Sequence, residues 1–134
     1  MKKRHRFFLS PYKDTAFTRC PKCGAKTRLR KFPLVIHIEP RQLFLLNKLC
    51  KFCLSCDLII ARKNEIESLM AERISRERSE LLGNDYLVIG TLDRKDWVEG
   101  HKGGATPHDL VNRMYVFEDV FSFQIIPAGW RPPE

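Results

Sequence analysis

LCKFCLSCDLII, residues 49–60, holds three cysteines three residues apart, so that two overlapping C-x-x-C units share Cys53. A further C-x-x-C lies upstream in TRCPKCGAK, residues 18–26, where Pro21 and Gly24 fit a tight turn with a position of positive φ after the second cysteine. Two such units a few tens of residues apart have the spacing with which four thiolates converge on one tetrahedral metal ion. Each short loop then points two sulfurs at the ion while backbone amides stabilise their charge.

CPKCG, residues 20–24, resembles the knuckle of zinc-ribbon proteins, and the resemblance covers residues 17 to about 60. It implies a β-hairpin held by one Zn2+ ion, with Cys20 and Cys23 as two of the ligands. The other two are either Cys50 with Cys53 or Cys53 with Cys56. The residue after the second cysteine of a knuckle tends to take a left-handed or turn conformation, which Asp tolerates and a bulky apolar residue does not. Asp57 follows Cys56 and Leu54 follows Cys53. This assigns Cys53 and Cys56 to the metal and leaves Cys50 as a buried or reserve thiol. Asp57 departs from the family, which usually has glycine there. Four sulfur ligands leave no open coordination position, so the ion is structural and not catalytic. CPKC also matches the C-P-x-C of thiol redox proteins, but those place the pair at a helix N-terminus. GAKTRLRKF reads instead as turn and strand. DLIIARKNEIESL, following Cys56, leaves a treble-clef arrangement as the other way of holding the metal.

The rest of the chain is consistent with one domain of 134 residues, long enough to bury a core without a metal. Its apolar segments fall far short of the ~20 residues of a membrane helix. MKKRHRFFLSP opens like a secretory signal, but FFL is too short and Pro11 follows at once. An odd count of five cysteines, clustered in C-x-x-C units, argues against a disulfide framework and for a soluble, cytoplasmic protein with reduced thiols.

Charge is divided unevenly. Residues 1–56 carry 14 Lys plus Arg against 2 acidic residues, net +12, and residues 57–134 carry 10 against 14, net −4, which together make the +8 of the chain. A basic block of this kind predicts an acidic partner, most often nucleic acid. Lys2, Lys3, Arg4 and Arg6 precede the aromatic pair Phe7 and Phe8, and Lys26, Arg28, Arg30 and Lys31 lie in KTRLRKF. If KTRLRK is a strand, Lys26, Arg28 and Arg30 form a row on one face at ~6.6 Å spacing. Phe7, Phe8 and Tyr12 are then candidates for stacking on unpaired bases.

The expected fold is α+β, in four parts. Residues 1–14 form a basic, flexible arm. Residues 15–62 form the zinc ribbon, with KTRLRKF and LVIHI as two strands or one strand broken at Pro33, and RQLFLLNKLCKF returning as the other arm of a hairpin. Residues 63–83 form a connecting amphipathic helix, with Asn64 and Glu67 as a capping box and Gly83 and Asn84 as its stop. Residues 84–134 form a small βαβ-like unit: strand YLVIGTL, helix PHDLVNRMYVF and strand VFSFQII, with Trp97 near its middle and Trp130 in its tail.

Conventional catalytic signatures (H-E-x-x-H, G-x-S-x-G and the phosphate-binding glycine loops) are missing. HKGGATPH offers Lys102, Gly103 and Gly104 as a small anion loop ahead of a helix start. The leading functional expectation is a nucleic-acid-binding or nucleic-acid-associated module with structural zinc. A non-enzymatic protein-interaction adaptor is second, and an enzyme acting through the 101–108 loop is third.

Overall fold

The runs on either side of Pro33 form one unbroken strand. In the computed structural model, which describes residues 2–101, 103 and 107–123, strand β2 (Arg28–Ile38) pairs antiparallel with β3 (Gln42–Cys53) from end to end. The Pro33 carbonyl accepts from the Leu92 amide, so the side of Pro33 that lacks a donor faces away from β3. The hairpin loses no ladder hydrogen bond, which is why the proline does not break it.

Around this hairpin grows one seven-stranded sheet in a mixed α+β fold. It takes in β1 (Arg6–Ser10), β4 (Leu58–Arg62), β5 (Tyr86–Thr91), β6 (Tyr115–Val116) and β7 (Asp119–Phe121), in the order β6-β5-β2-β3-β4-β1-β7. Helix α1 (Lys63–Glu77) follows β4, while α2 (Arg94–His101) and α3 (Pro107–Arg113) lie between β5 and β6. One face of the sheet, with Phe7, Leu34, Ile36 and Ile59, packs against Ile66, Met70 and Ile74 of α1. Lys48 ties the first turn of α1 to β3: it is buried, its Nζ lies 2.9 Å from Glu65, and it holds that carboxyl below the usual carboxylate range. The opposite face is covered in two patches. Phe8, Leu58 and Ile60 meet Phe17 and the cysteines, and Val35 meets Leu92, Leu110 and Met114.

Four expectations are corrected. Residues 1–14 are not a free arm, because Arg6–Ser10 is a strand between β4 and β7, parallel to both. A strand covered on both faces needs apolar side chains in succession, and Phe7 and Phe8, each 1% exposed, supply them. Neither ring is free to stack on a base. Second, the C-terminal segment is not a βαβ unit: β5 pairs antiparallel with β2 and β6, while β7 lies at the other end of the sheet beside β1. Third, the helix expected through Phe117 stops at Arg113, and Tyr115–Val116 turns back onto β5; α2 was not foreseen. Fourth, α1 begins at Lys63 after Arg62, with no side-chain cap, so Asn64 lies inside the helix and Glu67 accepts from the Tyr86 hydroxyl at 2.8 Å. It ends at Glu77, where Arg78 leaves helical geometry ahead of a 3-10 turn at Ser79–Leu81. The second half of VFSFQII, the tail and Trp130 lie outside the described residues. Among the described residues, no helix is long and apolar enough to cross a membrane.

Candidate metal centre

Two turns bring four sulfurs together. The first is CPKCG, in the segment between β1 and β2, which closes with the Gly24 amide donating to the Cys20 carbonyl at 2.9 Å. Gly24 has φ +78°. The second is the turn Leu54–Asp57 that carries β3 into β4, where Asp57 has φ +54°. Both residues that follow a second cysteine are therefore left-handed, glycine in one case and aspartate in the other. Leu54, which follows Cys53, has no such backbone, and the sulfurs that join the first pair are those of Cys53 and Cys56.

The ligand atoms of Cys20, Cys23, Cys53 and Cys56 all lie within 4.8 Å of one another. Cys23 Sγ is 3.5 Å from Cys53 Sγ, and Cys20 Sγ is 3.9 Å from Cys56 Sγ. A disulfide needs about 2.05 Å, whereas sulfurs at the corners of a tetrahedron with metal bonds of ~2.3 Å are ~3.8 Å apart. The four sulfurs can hold one metal ion, and the donor set is that of a closed site. Backbone amides already serve the sulfurs: Lys22 donates to Cys20 at 3.4 Å and Ala25 to Cys23 at 3.5 Å.

The thiols are not equivalent. The Ala25 amide, with help from the neighbouring sulfurs of Cys56 and Cys53, draws Cys23 down to about 7. Burial, followed by the crowding of the other sulfurs, pushes Cys56 up to about 12; burial also raises Cys53. The cluster without a cation accepts one thiolate readily and resists ionisation at Cys53 and Cys56. A divalent ion that binds must displace those protons, so its affinity rises with pH. Cys20 and Cys53 are buried against Phe8, Phe17, Leu58 and Ile60, while Cys23 is exposed. An ion here would clamp the 15–27 segment onto the sheet.

Cys50 stands apart. It is buried on the α1 face, its Sγ 3.4 Å from the Lys48 carbonyl, and burial pushes its thiol up to about 12. Sequence reasoning missed the pair that braces the second turn from behind. Asp57 Oδ1 lies 2.6 Å from Nδ1 of His5, a buried residue whose ring meets Phe32 and Phe52 edge-on at 5.4 and 5.8 Å. Arg6 completes the brace by donating to the Cys56 carbonyl at 2.7 Å.

The basic candidates are dispersed. Arg4 is 2.9 Å from Asp93, and Arg6 is 3.8 Å from both Glu118 and Asp119. Lys2 and Lys3 are exposed beside the chain at Val116. Lys26 precedes β2, in a bridge to Arg19. Arg28 and Arg30 do alternate along β2, and Arg30 lies over Phe32 and Phe52 at 4.9 and 5.5 Å. Lys26, Arg28 and Lys31 are exposed and make no ion pair among the described residues. Of the anion loop, Lys102 and Gly104 lie outside the described residues, and the Gly103 amide is given to the Gly100 carbonyl at 3.1 Å. No protein-family model matches this chain, and no curated protein or solved structure matches it.

Proposed function

We propose that the chain is a structural-zinc protein whose metal, held by Cys20, Cys23, Cys53 and Cys56, fixes a basic hairpin end that contacts nucleic-acid phosphates. The observation that carries the zinc reading is the four-sulfur cluster at tetrahedral spacing. Four thiolates are the donor set of structural zinc, and such an ion supplies folding energy to the loops it joins. The nucleic-acid reading rests on the cations left over once the internal ion pairs are made: Lys26, Arg28 and Lys31, beside Arg30, on the first residues of β2 and just before it. Phosphate contacts of this kind position a protein without specifying sequence.

The test is binding of the zinc-loaded protein to labelled single-stranded and duplex DNA and RNA over a salt series, with the Lys26, Arg28, Arg30 triple alanine variant alongside. A salt slope that falls by about three in the variant supports the reading. Weak binding that ignores the triple change removes it. A second reading, a protein-interaction adaptor, is favoured by Leu29 and Leu49, which are 59% and 44% exposed on the same hairpin end. Leu29 pairs across the ladder with Lys51, and Leu49 pairs with Lys31. Loss of partner binding in Leu29→Ser with nucleic-acid binding intact would favour that role.

A further inference from the structure

Beyond the point where β5 stops, β2 has an open side, and four parts of the chain close around it to leave a cavity of about 260 Å³. Arg4 and His5 come from the segment before β1, Arg30 and Lys31 from β2, Asn47 from β3, and Thr91 to Arg94 from the end of β5 and the start of α2. Four cationic residues thus line a small space with one acidic residue, Asp93, whose carboxylate is 2.9 Å from Arg4. Like charges brought together in this way repel unless something anionic joins them. Lys31 and Arg94 are exposed and make no ion pair among the described residues.

Three of the groups are held by neighbours in the fold. Arg30 rests on the Phe32 and Phe52 rings, and Arg4 lies over Tyr115 at 5.2 Å as well as against Asp93. His5 is 6% exposed, and its backbone sits at φ +65°, an unfavourable conformation for a non-glycine residue that the surrounding contacts enforce. Its Nδ1 lies against the Asp57 carboxylate, which does not line the cavity, and His5 is among the residues that do.

We propose that this cavity binds a phosphate monoester, with the guanidinium groups of Arg30 and Arg94 as two-pronged donors and Lys31 as a point charge. Guanidinium forks match phosphate oxygens in geometry and charge. The volume falls just short of the ~300–1,000 Å³ of pockets for drug-sized ligands, which suits a phosphate with little attached. Asp57 links this cavity to the metal-binding turn, because the residue that follows Cys56 is the one that orients His5. The inference does not require the nucleic-acid reading, since a free phosphate compound and the 5′ end of a nucleic acid offer the same group.

Calorimetric titration of the full chain with its metal bound, at low ionic strength, tests the site with four probes: inorganic phosphate, adenosine 5′-monophosphate, and a single-stranded oligonucleotide with a 5′-phosphate or a 5′-hydroxyl. Saturable binding of the two small probes assigns a free phosphate compound, and selective binding of the 5′-phosphorylated strand assigns a nucleic-acid end. In either case Arg94→Gln and Lys31→Gln, at exposed positions without ion pairs, weaken binding at least tenfold with an unchanged Tm, and Arg76→Gln on α1 does not. The site is overturned if no probe binds, or if the affected and control variants bind alike. Equal binding of the two oligonucleotides, indifferent to Arg94→Gln, would also overturn the site while leaving backbone contacts elsewhere intact, so the two readings fail separately.

Discussion

Asp57 shows how far a single residue can be read. Its tolerance of a left-handed backbone distinguishes the Cys53–Cys56 pair from Cys50–Cys53, and φ at that position is +54°. Its second task, holding His5 at 2.6 Å, had no trace in the sequence, because the partner lies 52 positions away in a segment that reads as a solvated arm. Cys50 is the counterpart: local pattern gives it the same standing as its neighbours, and tertiary packing turns it inward. Its thiol is pushed up to about 12 by burial, against ~8.5 for an exposed cysteine. With the folded-state value the higher, the stability contributed by the neutral thiol is complete below the ordinary value and is lost as pH rises through 12. In the metal-loaded protein, Tm is expected to fall more steeply between about pH 9 and 11 in the wild type than in Cys50→Ala. Parallel curves would contradict the burial of Cys50.

At the scale of elements, local pattern succeeded where an element makes its own case and failed where neighbours decide. The β2–β3 hairpin and β5 carry long periodic or β-branched runs and are legible within a few residues; α1 is legible as a helix, although it ends at Glu77 and not at the expected stop at Gly83. Strand β1 has only FFL as its apolar signal, preceded by MKKRHR, and becomes a strand because β4 and β7 both pair with it. Strand β6 is two residues long, and it exists because β5 offers glycine at the contact. A Cβ on Gly90 would lie 2.0 Å from the Tyr115 carbonyl oxygen and 2.9 Å from its carbon, both backbone atoms that have little room to give. Gly90→Ala is therefore expected to destabilise the protein by about 1–3 kcal/mol, read from chemical denaturation, with amide protection lost at Tyr115 and Val116. An unchanged midpoint would mean that the two strands do not approach as closely as this.

For the molecule as a whole, the charge imbalance along the chain is partly settled within the fold. Arg4 and Arg6 from the basic half meet Asp93, Glu118 and Asp119 from the acidic half, so a net +12 block in sequence overstates the cation surface that a partner would meet. Of the cations without an ion pair among the described residues, Lys26, Arg28 and Lys31 lie together at the hairpin end, and Arg94 lies beside the cavity next to it. The cysteine cluster belongs to a different patch of core from the one under α1, which separates the consequences of metal loss. Chelation is expected to abolish amide protection in residues 15–27 and at the β3–β4 turn while β2, β3 and α1 stay protected, as followed by hydrogen exchange. Loss of protection everywhere at once would mean that the sheet depends on the ion. The most direct measurement of the central claim is metal content per chain, by elemental analysis, in the wild type, Cys50→Ser and Cys56→Ser purified in parallel. One zinc per chain in the first two and none in the third is the predicted result. A wild type without metal, or a Cys50→Ser variant that loses it while Cys56→Ser keeps it, would contradict the assignment of the site.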